Sequence, residues 1–205
     1  MTADEHGPTG ERRPGGGDVC SAAHAGWLVT PLRRLLHDPR RILAGLIKPG
    51  DTAVDFGCGP GFFTLPMAEM VGPDGLVVAV DLQDAMLERL RLRAERAGLV
   101  PRIRLQQCST DSVGELPAAD FALAFFMVHE VPDVERFLGK LAGALKVGGR
   151  FLLVEPRGHV SAADFKATVA LAVVSGLRPF ATPRVRGART TLFEHREGAP
   201  GKRVV

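Results

Sequence analysis

An open α/β sheet, mostly parallel and covered by helices on both faces, is the fold class the sequence predicts, and three observations predict it. From residue 48 onwards, short apolar runs alternate with helical patterns. The first run feeds a turn with three glycines at alternate positions, "VDFGCGPGFF", Val54 to Phe63. The chain then finishes on two strand-like stretches with no helix between them. Strands that alternate with helices at this length need crossover connections, which places helices on both faces of a parallel sheet.

With 205 residues, 45% hydrophobic and 24% charged, the chain builds one domain with a substantial core. Met1 to Asp18 is rich in Gly, Pro and charge and has little to bury, so it is expected to be a disordered tail. Residues 19–47 carry apolar faces, and Thr30-Pro31 and Asp38-Pro39 each suggest an N-cap followed by a proline at the first helical position. Two short helices are expected there, as a lid segment. The main domain spans 48–197, and 198–205 is expected to be a flexible tail.

Within that domain the expected strands are Thr52 to Phe56, Leu76 to Val80, Ile103 to Gln106, Phe121 to Phe126 and Arg150 to Val154. The expected helices are Phe62 to Val71, Ala85 to Ala97 and Val134 to Leu145, the last behind Asp133 as cap and stopped by Gly148 and Gly149. Ser161 to Asp164 resembles a capping box that opens a helix ending near Gly176. A hairpin of Leu177 to Pro183 and Arg189 to Arg196 then closes the sheet edge.

Charge and cysteine usage narrow the function classes. The net charge of +3 is mild and dispersed, which gives no argument for nucleic acid as a partner. The C-terminal end is the exception, with Arg178, Arg184, Arg186, Arg189 and Arg196 among its basic residues. These read as a solvated rim, or alternatively as the mark of a phosphate-bearing or acidic acceptor. Cys20, Cys58 and Cys108 are widely spaced and show no zinc pattern, so no metal is expected and a reducing cytoplasm fits. No membrane span or export signal is expected.

In an open parallel sheet the turn after the first core strand is the usual ligand cradle. Glycine permits positive φ and lets a ligand reach backbone that a β-carbon would screen. The spacing Asp55-x-Gly57-x-Gly59-x-Gly61 departs from the dinucleotide pattern Gly-x-Gly-x-x-Gly, because Phe62 stands where the third glycine would be. A carboxylate at Asp55 repels pyrophosphate and suits an ammonium or sulfonium. Asp81, 20 residues after Gly61 at the end of "VVAVDL", is placed to accept hydrogen bonds from ribose hydroxyls.

"VDFGCGPGFFTLPMAEMVGPDGLVVAVDLQDAML", with "DFALAFFMVHEVPD" and "LKVGGRFLLVEP" further on, resembles a class I S-adenosylmethionine-dependent methyltransferase of the ubiquinone/menaquinone (methyltransferase type 11) branch. The resemblance implies a Rossmann-like seven-stranded sheet of order 3-2-1-4-5-7-6 with the last strand antiparallel. It implies S-adenosylmethionine as cofactor, with Gly57, Gly59 and Gly61 at the methionine moiety, Asp55 near its amino group and Asp81 on the ribose. Leu82 and Met86 flank the adenine, and Cys58, Phe62 and Phe125 complete the cofactor set. The stretch "QQCSTD" departs from the pattern, since Cys108 stands where an aspartate often reads adenine. That role passes to backbone groups of Cys108 and Ser109, or to Asp111.

In the matching fold the acceptor faces the ends of strands four and five, which offer Phe125, Phe126, Met127, His129 and Glu130, then Glu155, Arg157 and His159. His129 and His159 are the candidate general bases, with Glu130 behind them. Phe126 and Met127 line the substrate pocket. Only Pro156 to Val160 separates strand five from the next helix, so the acceptor's roof comes from the Cys20 to Ile47 segment, with His24 and Trp27 as pocket residues, or from the second subunit of a homodimer, or the site is open. The expected acceptor is a small, partly apolar molecule. Alternatives are a binding protein without turnover, a thiol or metalloid methyltransferase and an NAD-dependent oxidoreductase.

Overall fold

The computed structural model describes residues 36–196. His24, Trp27 and Cys20, the Thr30-Pro31 helix start and both tails lie outside the described residues.

β1 (Thr52–Phe56), β2 (Leu76–Asp81), β3 (Ile103–Gln107), β4 (Ala119–Phe125), β5 (Leu145–Pro156), β6 (Leu177–Ala181) and β7 (Ala188–His195) form one sheet. Its seven strands run in the order β3-β2-β1-β4-β5-β7-β6. β1 to β5 pair in parallel, and β7 is antiparallel to both β5 and β6. This is the expected order, with the edge-closing hairpin in its expected place.

The helices are α1 (Pro39–Ile42), α2 (Thr64–Val71), α3 (Asp84–Arg96), α4 (Val134–Ala144) and α5 (Ala162–Val174). Side chains on a strand alternate between faces, so one run supplies two cores. Along β5, Phe151 and Leu153 join Val54, Phe56 and Phe193 against Phe137, Leu138 and Leu141 of α4 and Phe165 of α5. Leu152 and Val154 point the other way, with Phe121, Leu123 and Leu192, against Met67, Ala68 and Val71 of α2 and Leu43 after α1. Burying both faces of a strand that reads "FLLV" removes a continuous apolar run from water, about 1.5–3 kcal/mol for each large side chain.

The caps act as their residue types dictate. Asp38 accepts from the Arg40 backbone N–H at 3.0 Å, with Pro39 opening α1. Asp133 accepts from the Arg136 N–H at 2.9 Å. Ser161 Oγ accepts from the Asp164 N–H at 3.1 Å. Each such cap contributes about 1 kcal/mol.

β5 differs from expectation. It runs for 12 residues from Leu145, and α4 stops at Ala144, before Gly148 and Gly149. Leu145 pairs with Ala119, the register shifts, and Phe121 pairs with Arg150, so the two glycines absorb extra chain inside the strand. A Cβ on Gly149 would sit 2.8 Å from the Lys146 carbonyl oxygen and 3.0 Å from that of Ala119, which explains why a glycine pair marks a bulge here and not a helix stop. At the opposite edge of the sheet from β3, β6 carries Arg178 and Pro179, and Arg150 lies over the exposed Phe180 ring, 5.0 Å from its centroid. No helix among the described residues is long and apolar enough to cross a membrane.

Candidate active site

The carboxyl ends of β1, β2, β4 and β5 open on the same side of the sheet and carry the chemistry-bearing residues. β1 delivers Asp55 and Phe56 into a turn where Gly57, Gly59 and Gly61 have φ of 64°, 51° and 83°. Only glycine takes such angles without strain. The three do different work. Gly57 and Gly59 leave backbone open to solvent, whereas Gly61 is buried. A Cβ on Gly61 would fall 2.3 Å from Leu90 Cδ1, so this glycine lets α3 close onto the turn. A Cβ on Gly57 would come within 2.9 Å of Met127 Cβ, which ties the turn to the segment after β4.

Two carboxylates border this backbone. Asp55 is buried, and its Oδ2 accepts from Thr64 Oγ1 at 2.6 Å. Asp81 Oδ2 accepts from the Gly59 N–H at 2.8 Å and Oδ1 from the Gln83 N–H at 2.9 Å. Burial pushes the Asp81 carboxyl above its ordinary value, and the backbone N–H bonds only partly oppose this. The Gly59 amide, which a pyrophosphate cradle would present to its ligand, is spent on a carboxylate. That set of carboxylate acceptors fits the ammonium, sulfonium and ribose hydroxyls of an amino-acid nucleoside better than the phosphates of NAD.

Among the remaining expected cofactor residues, Phe62 and Met86 are buried and Leu82 is partly exposed. Cys58 is buried, and desolvation together with Asp55 and Asp81 holds its thiol well above the ordinary range. Burial likewise raises Cys108. Neither is poised as a thiolate, and no cluster of metal-ligating side chains occurs among the described residues. The backbone amides expected to read adenine are engaged locally: Cys108 N–H donates to the Asp81 carbonyl at 3.0 Å, and Ser109 N–H to that of Ser112 at 2.9 Å. Asp111 is exposed nearby.

Beyond β4 the chain makes an unusual turn. Phe126 has φ of 61°, the one left-handed residue among the described residues that is not glycine, and its N–H donates to the Val154 carbonyl at 2.8 Å. Its ring lies 4.3 Å from that of Phe125, which is 4.4 Å from Phe63. The His37 ring meets Phe125 and Phe126 edge-on, each at 5.5 Å. Strained backbone at a cluster of this kind is held by its surroundings and concentrates at functional sites.

A 3-10 turn, Val128–Glu130, follows, and the end of β5 binds it from below. Glu155, buried, accepts from the Val128 N–H at 2.9 Å through Oε1 and meets His129 Nδ1 at 2.5 Å through Oε2. The Glu155 bond, opposed by desolvation, raises the His129 pKa above its ordinary value. His159 is exposed, with its ring 6.1 Å from that of His129. Burial raises the Glu130 carboxyl. The structure thus brings His129, His159 and Glu130 together as expected. It adds Glu155 as the group that orients His129, and His37 as a wall of the aromatic cluster.

Residues 53–149 match the family model described as a methyltransferase domain. Among curated proteins, a demethylmenaquinone methyltransferase of Symbiobacterium thermophilum is 34% identical over 112 residues, covering 53% of this chain and 43% of the relative. The aklanonic acid methyltransferase DauC of Streptomyces sp. is 33% identical over 120 residues, covering 57% and 54%. The chain therefore spans about half the length of the curated relatives it matches. A solved structure, a SAM-dependent methyltransferase from Aquifex aeolicus, superposes with a TM-score of 0.75 at 21% identity, covering 86% of this chain and 98% of the other.

Proposed function

From a chain that carries a class I S-adenosylmethionine-dependent methyltransferase domain, we propose an enzyme that methylates a small, partly apolar acceptor, with His129 as general base. The observation that carries this reading is that His129, oriented by Glu155, and the Asp55 and Asp81 cradle lie at the same, carboxyl end of the parallel strands. When bound, S-adenosylmethionine supplies a methyl carbon on a sulfonium, open to in-line displacement.

The residues divide that task. The exposed backbone of Gly57 and Gly59 admits the methionine portion, beside the Asp55 carboxylate. Asp81 has acceptor lone pairs left on both oxygens for ribose hydroxyls. Phe62, Met86 and Leu82 supply apolar contact. Across the site, Phe126, Met127 and the His37 ring form a partly apolar wall, which supports an aromatic or otherwise apolar acceptor body. Alignment of the acceptor with the methyl carbon and exclusion of water account for most of the barrier reduction. A hydroxyl or other weakly acidic acceptor must also lose a proton. Glu155 holds Nδ1–H of His129, which leaves the Nε2 lone pair to take that proton. His159, beside it, positions the acceptor or relays the proton outward.

The test is methyl transfer from labelled S-adenosylmethionine over a panel of phenols, quinols, carboxylates and thiols, scored as S-adenosylhomocysteine formed. Turnover on an apolar hydroxyl or carbon acceptor, lowered by roughly 10²–10⁴ in His129→Ala, is the expected result. Tight S-adenosylmethionine binding by calorimetry with no turnover on any acceptor would support a binding protein instead. NAD binding in place of S-adenosylmethionine would overturn the cradle assignment.

A further inference from the structure

Where β5 and β7 meet, at the same end of the sheet, a cavity of 760 Å³ lies outside the methyl-donor cradle. Its walls include Arg157, Arg184, Arg186, Arg189, Phe165 and Thr190, and among the described residues no Asp or Glu lines it. The arginines elsewhere on the same hairpin are matched by an acid, since Arg178 and Arg196 both pair with Glu194. Arg157, Arg184, Arg186 and Arg189 form no ion pair among the described residues.

Arg189 is the most telling of them. It stands directly across from Glu155 in the β5–β7 register. Both Glu155 oxygens are already engaged, by Val128 N–H and by His129. Arg189 Nη1 is shut off from solvent and has no hydrogen-bond partner among the described residues. A buried guanidinium N–H left unmade is costly, and native structures leave very few such groups. Arg157, two residues after Glu155, donates Nε to the Ala188 carbonyl at 3.0 Å, which fixes its stem at the cavity wall and leaves its Nη groups uncommitted. The loop between β6 and β7 is in turn joined to the aromatic wall, because the Arg186 carbonyl accepts from His37 Nε2 at 2.9 Å.

We infer that this cavity is an oxyanion subsite, and that the acceptor carries a carboxylate or phosphate group held there by Arg189 with Arg157 and the loop arginines. A planar guanidinium meets such a group with two parallel N–H bonds, a geometry that sets orientation as well as affinity. Arg189 stands across from Glu155, whose carboxylate holds His129, so an acceptor anchored at Arg189 is held at the strand ends that carry His129. The word acceptor rests on the methyl-transfer reading above; the binding of an anion does not.

Titration calorimetry on the full chain saturated with S-adenosylhomocysteine tests this, with benzoate, phenyl phosphate and the neutral benzyl alcohol as probes. Benzoate or phenyl phosphate is expected to bind and benzyl alcohol not, and the preferred anion tells carboxylate from phosphate. Arg189→Met should weaken anion binding at least tenfold, and the exposed pair Arg184→Glu/Arg186→Glu at least threefold, with S-adenosylhomocysteine affinity within twofold of wild type. Should Arg189→Met fail to fold, the loop pair decides alone. Equal binding of benzyl alcohol, undiminished anion binding in the variants or no anion binding at all overturns the subsite. So does single-stranded RNA binding lost in the same variants while the small anions are ignored. Anion binding without S-adenosylhomocysteine binding in the wild type would instead remove the methyl-donor reading and leave the subsite standing.

Discussion

With His129 Nδ1 committed to Glu155 at 2.5 Å, the carboxylate both selects the tautomer and stabilises the imidazolium that forms on proton uptake. Because the bond raises the His129 pKa, the base form is depleted until the pH passes that raised value. With His129 as the proposed base, turnover should therefore climb with pH through a range above the ordinary histidine value of about 6.5. Glu155→Gln should move this limb toward acid and lower kcat, while His129→Ala lowers kcat by roughly 10²–10⁴. Stability carries a second signature. A histidine raised in the folded state stabilises fully below its unfolded pKa and loses that contribution as pH rises through the folded one, so wild type minus His129→Gln, read by denaturant unfolding, should shrink in that direction. For Asp81, Asp81→Ala should weaken S-adenosylhomocysteine by about 1–3 kcal/mol in calorimetry. Since burial raises its carboxyl, wild-type affinity should begin to fall on acidification above the usual aspartate range. The places of Asp81, at the end of β2, and of His129, in the turn after β4, could be read from the sequence, and their roles are proposals. The link from His129 to Glu155 was not, because it spans 26 positions and arises only when β4 and β5 pair Phe125 with Val154. The available signal was a carboxylate at the end of the wholly apolar run "FLLVEP", where a buried charge needs a partner.

At the scale of elements, the glycine turn shows how one motif serves two masters. Gly57 and Gly59 leave open backbone, but Gly61 is needed because Leu90 of α3 occupies the space of its missing side chain. Gly61→Ala should destabilise by about 1–3 kcal/mol through overpacking, with added strain from its φ, and thermal unfolding would show a drop of several degrees. In a Leu90→Ala background the steric part of that drop should vanish while the φ part persists, a coupling that a double-mutant cycle measures. Equal drops in both backgrounds would place the conflict elsewhere. Helix starts were readable because Asp38, Asp133 and Ser161 act locally. β5 was read too short because Gly148 and Gly149 act through Ala119 on another strand, and their pairing is invisible to any local pattern. The closing hairpin was readable from its two β-rich stretches, whereas the cavity its loop builds with Arg157 depended on the β5–β7 register.

For the whole molecule, buried clusters on both faces of one sheet tie the described strands and helices together, and a ligand that binds the folded form stabilises it by mass action. S-adenosylhomocysteine at a hundred times its Kd should add about 2.7 kcal/mol, a rise in Tm of about 5–11 °C for a chain of this size, and NAD should leave Tm unchanged. The alternation of strands and helices made this architecture legible, since burying both faces leaves few other arrangements. The outer strand β6 governs a property of a different kind. Its Pro179 has no N–H to offer a newcomer, Arg178 adds charge, and the cation of Arg150 covers the exposed Phe180 ring. A second copy arriving at that edge finds an incomplete template, so β6 is a poor strand for intermolecular pairing. Arg178→Val/Pro179→Val should therefore turn concentrated solutions cloudier on standing than wild type at the same concentration, read by light scattering.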